Sequence, residues 1–147
     1  MNIKRISGNA ALVAAPVAIA LAASLLMPTP AAADPMAPPT GACPGTRVGT
    51  YRLSTSSHIE IYYAPANGGT NCVTTVSEKT SRRYLHVWAT VVGTDKINSD
   101  EGLYRSYAGP ITFTGAAGHC ISVMAQASPS TNPAERTKRS LDAVHCG

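Results

Sequence analysis

The sequence predicts an all-β fold, a small antiparallel β-sandwich or barrel with two disulfides. Three observations predict it. Several short runs alternate apolar and polar residues with period two, as half-buried strands do. Turn-forming residues separate these runs, and all four cysteines lie beyond residue 42. Because no run there has a helical period, we expect six to eight strands.

The first residues predict export. Lys4 and Arg5 precede an uncharged apolar run that ends at Met27, and the small residues Ala31–Ala33 form a cleavage site. This order of parts is typical of a secretory signal peptide, here residues 1–33. A membrane anchor is the alternative, but no basic stop-transfer cluster follows the run. We therefore expect no membrane association after cleavage.

Two further segments make up the mature chain. Residues 34–42 are Pro-rich and have no period, so we expect a flexible leader. Residues 43–147 are expected to form one disulfide-stapled β domain. Loss of the signal peptide leaves ten Lys/Arg and eight Asp/Glu, a net charge of +2. The arginines are scattered along the sequence, at positions 47, 52, 82, 83 and 105, so we expect no nucleic-acid partner.

The cysteines Cys43, Cys72, Cys120 and Cys146 are even in number and lie in an exported domain, which predicts two disulfides. Zinc is the alternative, but there is no C-x-x-C spacing. Four cysteines allow three pairings, and the sequence does not distinguish them. We favour Cys43–Cys72 and Cys120–Cys146, because each closes a short loop and contributes roughly 3–4 kcal/mol.

The first strands follow from alternation. Residues 48–54 are a plausible first strand, and residues 58–64 and 71–77 flank a turn at Pro65–Gly69. Asn and Gly in that turn accept positive φ, so these two runs form the clearest hairpin in the chain. The strongest strand is 84–92, with one apolar face and one amphipathic face.

The second half is less regular. Residues 93–102 are polar and predict a loop; Lys96 and Ile97 break the ligand spacing of a calcium loop. Further strands are expected at 103–109, 111–115, 119–125 and 141–146, with Pro110 marking an end, a bend or an edge. Residues 127–140 contain two prolines and the cations Arg136, Lys138 and Arg139, and predict an exposed loop with at most a short helical turn.

The residues that carry chemistry form no catalytic, metal-binding or cofactor-binding motif. There is no G-x-S-x-G nucleophile sequence, and all cysteines have partners. We therefore expect no enzymatic activity, no cofactor and no metal. Tyr84, His86 and Trp88 lie on one face of a strand and are a possible ligand face for polysaccharide or peptidoglycan. The alternative is that a single Trp in a small domain belongs to the core.

The basic segment 127–140 has three alternative roles. It could dock an acidic surface such as a cell-wall polymer, or it could be a solubilising loop. It could also present itself to a protease as an inhibitor does, provided that the bridge between Cys120 and Cys146 held it rigid. The sequence leaves the function of this segment and the oligomeric state open.

Four short motifs occur in order: Asn71-Cys72-Val73, Ser106–Ile111 (SYAGPI), Ala116–Ile121 (AAGHCI) and His145-Cys146-Gly147. Together they resemble the spore-associated protein A family, small secreted proteins of Streptomyces and related actinobacteria. The resemblance covers roughly residues 43–147. The family has a Lys-Trp-Gly-Gly-like stretch after its third cysteine, where this chain has residues 122–125, SVMA.

The resemblance implies an exported, non-enzymatic protein of the cell or spore surface, whose four cysteines are disulfide partners. It supplies no catalytic residues. Our leading hypothesis from the sequence is therefore a protein associated with the cell or spore surface, with its molecular role left open and a cell-wall or spore-surface polymer as the candidate partner. A polysaccharide- or peptidoglycan-binding module and a secreted protease inhibitor are the alternatives.

Overall fold

The fold is known from a computed structural model that describes residues 42–147. The predicted signal peptide lies outside the described residues, as does the predicted leader apart from Ala42. The described chain is built from eight strands: β1 Thr46–Ser54, β2 Ser57–Ala64, β3 Thr70–Ser77, β4 Arg83–Val91, β5 Ile97–Tyr104, β6 Tyr107–Thr114, β7 Ile121–Ala127 and β8 Thr137–Val144.

The strands form two four-stranded antiparallel sheets, which confirms the predicted all-β class. Sheet 1 has the order β1-β2-β3-β6, and sheet 2 has the order β5-β4-β7-β8. The inward side chains of both sheets share one hydrophobic core, as in a sandwich. Its fully buried members are mostly aliphatic, among them Ile59, Ile61, Val73, Leu85, Val87 and Ile121.

The β2–β3 hairpin forms as predicted, with Ala64 opposite Thr70 at its closed end. Three consecutive turn residues, Asn67, Gly68 and Gly69, have φ of 57°, 70° and 83°. Glycine and asparagine adopt this left-handed region at little cost, so the local sequence fixes the turn.

Two expectations for the middle of the chain are wrong. The predicted polar loop 93–102 contains most of β5, and the predicted strand 103–109 is divided by a turn at residues 105–106. Among the described strands, β5 pairs only with β4 and lies at the edge of sheet 2. Its side chains are mostly exposed, so its sequence lacks the alternation of apolar and polar residues that predicts a strand. Pro110 lies inside β6, which pairs only with β3 and has a register shift there, as expected for proline at an edge.

The predicted loop 127–140 is also shorter than expected. Residues 137–140 belong to β8, so the connection covers only residues 128–136 and contains a single 3-10 turn, Pro133–Glu135. Lys138 and Arg139 are therefore strand residues that pair with Gln126 and Ala125. The error arises because β8 is an edge strand and mostly polar.

The favoured disulfide pairing is confirmed: Cys43 bonds Cys72 and Cys120 bonds Cys146, with Cα–Cα distances of 5.5 and 3.8 Å. Both bridges lie near the end of the sandwich where β3 and β7 begin. They are consistent with an extracellular location. Within residues 42–147, no helix is long and apolar enough to cross a bilayer.

Candidate functional site

The three residues singled out as a ligand face lie together on the outer side of sheet 2. Tyr84, His86 and Trp88 alternate along β4 with residues that are completely buried in the core. Each of the three is only partly buried, and Trp88 is not part of the core. Alternate residues of a strand are about 7 Å apart, so the three rings form a row about 13 Å long.

The neighbouring strands surround this row with polar and apolar side chains. The strand pairing places Ser99 and Met124 on either side of Trp88, and Glu101 and Gln126 on either side of His86. We call this surface the aromatic face; it consists of Tyr84, His86, Trp88, Ser99, Glu101, Leu103, Met124 and Gln126. Leu103, opposite Tyr84, is 43% exposed, so apolar surface is open to solvent here.

Hydrogen bonds hold the face in place. The Tyr84 hydroxyl donates to Glu101 Oε2 at 2.6 Å. Burial, together with this bond, raises the pKa of Tyr84 to about 12. His86 Nδ1 lies 3.9 Å from Glu101 Oε2, too far for a hydrogen bond. The face therefore combines the hydrogen-bonded Tyr84 ring and the partly exposed His86 and Trp88 rings with an exposed carboxylate, Glu101, and a partly exposed amide, Gln126.

Cations gather where the aromatic face ends. We call this region the basic end: the loops that join β1 to β2, β3 to β4, β5 to β6 and β7 to β8, with the strand residues next to them. Of the ten Lys/Arg in the described chain, eight lie here: Arg52, Lys79, Arg82, Arg83, Arg105, Arg136, Lys138 and Arg139. The acidic residues here are Glu78 and Glu135. The sequence-based expectation of scattered arginines is thus wrong in space, because the antiparallel topology brings every second chain reversal to the same end.

Arg83 is the most unusual member of the basic end. It is only 4% exposed, and its guanidinium donates to the hydroxyls of Ser56 at 3.3 Å and Ser81 at 2.9 Å. No carboxylate of the described residues lies within 4 Å of it. Burial lowers its pKa. A buried cation with no counter-charge is costly, so the end of sheet 2 carries an uncompensated positive charge.

A second polar cluster lies on the outer side of sheet 1. Glu60 is 6% exposed and accepts from Arg47 at 2.6 Å, from His58 at 3.2 Å and from the Tyr62 hydroxyl at 2.7 Å. Burial alone would raise the pKa of Glu60, but the three hydrogen bonds outweigh it and the pKa is lowered. His58 also contacts Glu78 at 3.2 Å. Because both oxygens of the Glu60 carboxylate already accept hydrogen bonds, we assign Glu60 a structural role and not that of a general base.

The histidines form no catalytic arrangement with serine in the part of the chain that is described. His145 contacts the Tyr51 hydroxyl at 2.9 Å, and His119 contacts the Val92 carbonyl at 3.2 Å. His58 and His86 face carboxylates. Between residues 42 and 147, no group of three His, Cys, Asp or Glu side chains could hold a metal ion.

The loop at residues 128–136 is not braced by a disulfide. The Cys120–Cys146 bridge closes the other end of the β7–β8 hairpin, next to Ile121 and Val144. A seven-residue strand is about 23 Å long, so the bridge is remote from the loop. The bridge therefore does not supply the rigid support that was expected of it for an inhibitory loop.

Comparisons with protein families, curated proteins and solved structures find no match. Among the surfaces of the molecule, the aromatic face unites all three residues that the sequence singled out. The sequence analysis missed Arg82, Leu103 and Arg105, which extend that face into the basic end. The Arg82–Arg83 pair directly before a strong strand was the available signal.

Proposed function

We propose that this chain is an exported, non-enzymatic protein of the cell or spore surface that binds polysaccharide through the aromatic face. The observation that carries the proposal is the row Tyr84, His86 and Trp88 on the outer side of sheet 2. Sheet 2 buries its other side against sheet 1, and the described residues leave this row partly exposed.

The chemistry of the row fits a sugar polymer. Sugar rings have apolar C–H faces, which stack on aromatic side chains, and hydroxyl rims, which need hydrogen-bond partners. Trp88 and Tyr84 supply the rings. Glu101 and Gln126 supply acceptors and donors beside them. Alternate positions of one strand present these groups along one direction, as an extended polymer requires.

Two further arguments support the location. The two disulfides are typical of proteins in an oxidising compartment. The first 33 residues have the pattern of a secretory signal peptide. The ordered motifs around Cys72, Cys120 and Cys146 resemble the spore-associated protein A family. Such a protein, once exported, meets the polymers of the wall and the spore coat.

A co-sedimentation experiment tests the proposal. The protein without residues 1–33 is mixed with insoluble cell-wall polysaccharide and with peptidoglycan sacculi, and the bound fraction is measured. We expect binding by the wild type and a loss of roughly tenfold or more in Trp88→Ala, because an aromatic contact contributes about 0.5–1.5 kcal/mol beyond its area burial. Val48→Ala removes an exposed hydrophobic side chain from sheet 1, away from the aromatic face, and is the control.

Wild-type protein that sediments with none of the polymers, or equal binding by Trp88→Ala and Val48→Ala, would refute the aromatic face as a binding site. Far-UV circular dichroism of each variant shows whether it is folded. Trp88 is partly exposed, so its replacement is expected to leave the fold intact.

A further inference from the structure

A cavity of about 390 Å³ lies where β5 ends and β6 begins. Its volume is within the range of small-ligand pockets and is sufficient for one sugar unit. Its walls combine apolar, aromatic and cationic side chains; among the lining residues are Arg82, Leu103, Tyr104, Arg105 and Tyr107.

The cavity continues the aromatic face. Leu103 lines it and lies directly opposite Tyr84 on the neighbouring strand. Arg82 lies one residue before β4. It therefore continues the row of alternate residues Trp88, His86 and Tyr84 toward the basic end. A polymer that lies along the row would place its next unit over the cavity.

The charge at the cavity is positive. Arg82 and Arg105 line it, and Arg83 lies opposite Tyr104 with its guanidinium buried. None of these three arginines has a carboxylate of the described chain within 4 Å. Among the described residues, Arg105 donates to the Thr80 carbonyl, at 3.2 Å.

One carboxylate, that of Asp100, is hydrogen-bonded to two residues that line the cavity. Asp100 accepts from the Tyr104 hydroxyl at 2.7 Å and from the Gly109 N–H at 2.6 Å, so both of its oxygens are in use. Arg82 and Arg105 therefore line the cavity without an ion-pair partner among the described residues. Their positive charge favours an anionic ligand.

From this juxtaposition we infer that the cavity binds the carboxylate of an acidic sugar, so that the polymer on the aromatic face is an acidic polysaccharide. The inference rests on the proposed function and names its substrate class. The planar guanidinium groups of Arg82 and Arg105 match a carboxylate. Leu103 and the tyrosines cover the apolar side of the same sugar ring.

Affinity electrophoresis or calorimetry with two forms of one polymer tests the inference. The probes are polygalacturonate and the same polymer with its carboxylates methyl-esterified. We expect wild-type protein to bind the acid form roughly tenfold or more tightly, since hydrogen bonds to a charged partner are about twice as strong as neutral ones. Soluble peptidoglycan fragments form a second arm, which distinguishes a uronic acid from a peptide or lactyl carboxylate.

Matched variants locate the site. Arg82→Gln/Arg105→Gln should abolish the preference for the acid form, so that the two forms of the polymer bind with equal affinity. Arg52→Gln/Lys96→Gln removes the same charge away from the cavity and should retain the preference. A polymer preference that survives in the first variant, or is lost equally in both, would overturn the inference.

The outcomes separate the two proposals. If the esterified polymer binds and the acid form binds no better, the inference fails and the aromatic face stands as a neutral-sugar site. If neither form binds and no wall polymer sediments the protein, both fail. Tighter binding of a single-stranded DNA oligonucleotide than of either glycan would assign the basic end to nucleic acid and overturn the inference.

Discussion

Replacement of Glu60 by glutamine is expected to destabilise the domain by about 2–3 kcal/mol. Glu60 is nearly buried, and it accepts hydrogen bonds from Arg47, His58 and Tyr62. Glutamine keeps the size but loses the charge and turns one acceptor into a donor. Removing one partner from a fully buried ion pair costs about 3–5 kcal/mol. The Arg47 side chain is 54% exposed, so solvent screening places the expected value lower.

Urea unfolding, followed by Trp88 fluorescence and by far-UV circular dichroism, measures this value. The control is Glu101→Gln, because that carboxylate also accepts a tyrosine hydroxyl but is 62% exposed. We expect the control to cost less than about 0.5 kcal/mol. The slope of the unfolding free energy against urea should be the same for wild type and both variants.

The pH dependence of the same measurement has a definite sign. The pKa of Glu60 is lowered in the folded state, so its ionisation stabilises the fold at pH values above the ordinary value of 4.5. This contribution is lost as the pH falls through the folded pKa, and the gap between wild type and Glu60→Gln should close there. Equal stability of Glu60→Gln and Glu101→Gln at pH 7 would refute the reasoning.

Two further predictions concern the disulfide-linked end of the fold. Replacement of Cys120 and Cys146 by alanine opens a loop with a sequence separation of 26 and should cost about 3.5 kcal/mol in urea unfolding; a loss below about 1 kcal/mol would contradict this. Burial lowers the pKa of His145, so stability should fall as the pH drops below 6.5. His145→Gln should remove that part of the pH dependence, and an unchanged profile between pH 7 and 5 would contradict it.

The sequence was sufficient to predict the elements whose pattern is local. β4 was predicted within one residue at each end, because its buried residues alternate strictly with partly exposed ones. The β2–β3 hairpin followed from Asn67, Gly68 and Gly69. The cysteine spacing favoured the observed bridges. In each case a short segment contained the whole signal.

The misassigned elements depend on distant partners. β5 has the polar sequence INSDEGLY and is a strand because β4 supplies hydrogen bonds along its whole length. Similarly, β8 begins with Thr137, Lys138 and Arg139, which pair with β7. An edge strand forms backbone hydrogen bonds with one neighbouring strand only and buries few of its side chains. Its sequence can therefore be as polar as that of a loop.

The candidate site shows the same division. Tyr84, His86 and Trp88 were found from the sequence because one strand holds all three. Arg82 and Arg105 are 23 positions apart and were counted as scattered. They meet because β4 begins where β5 ends, with Arg83 opposite Tyr104. A charge cluster made by chain reversals is invisible to a search along the sequence.

The most direct test of the account is to map polysaccharide binding onto individual residues by NMR. Amide chemical shifts of the protein without residues 1–33 are followed during titration with polygalacturonate oligomers. We expect the shifted amides to belong to β4, to the facing parts of β5 and β7, and to the residues around Arg82 and Arg105. Shifts confined to sheet 1 or to the disulfide-linked end would contradict it, as would a spectrum that does not change.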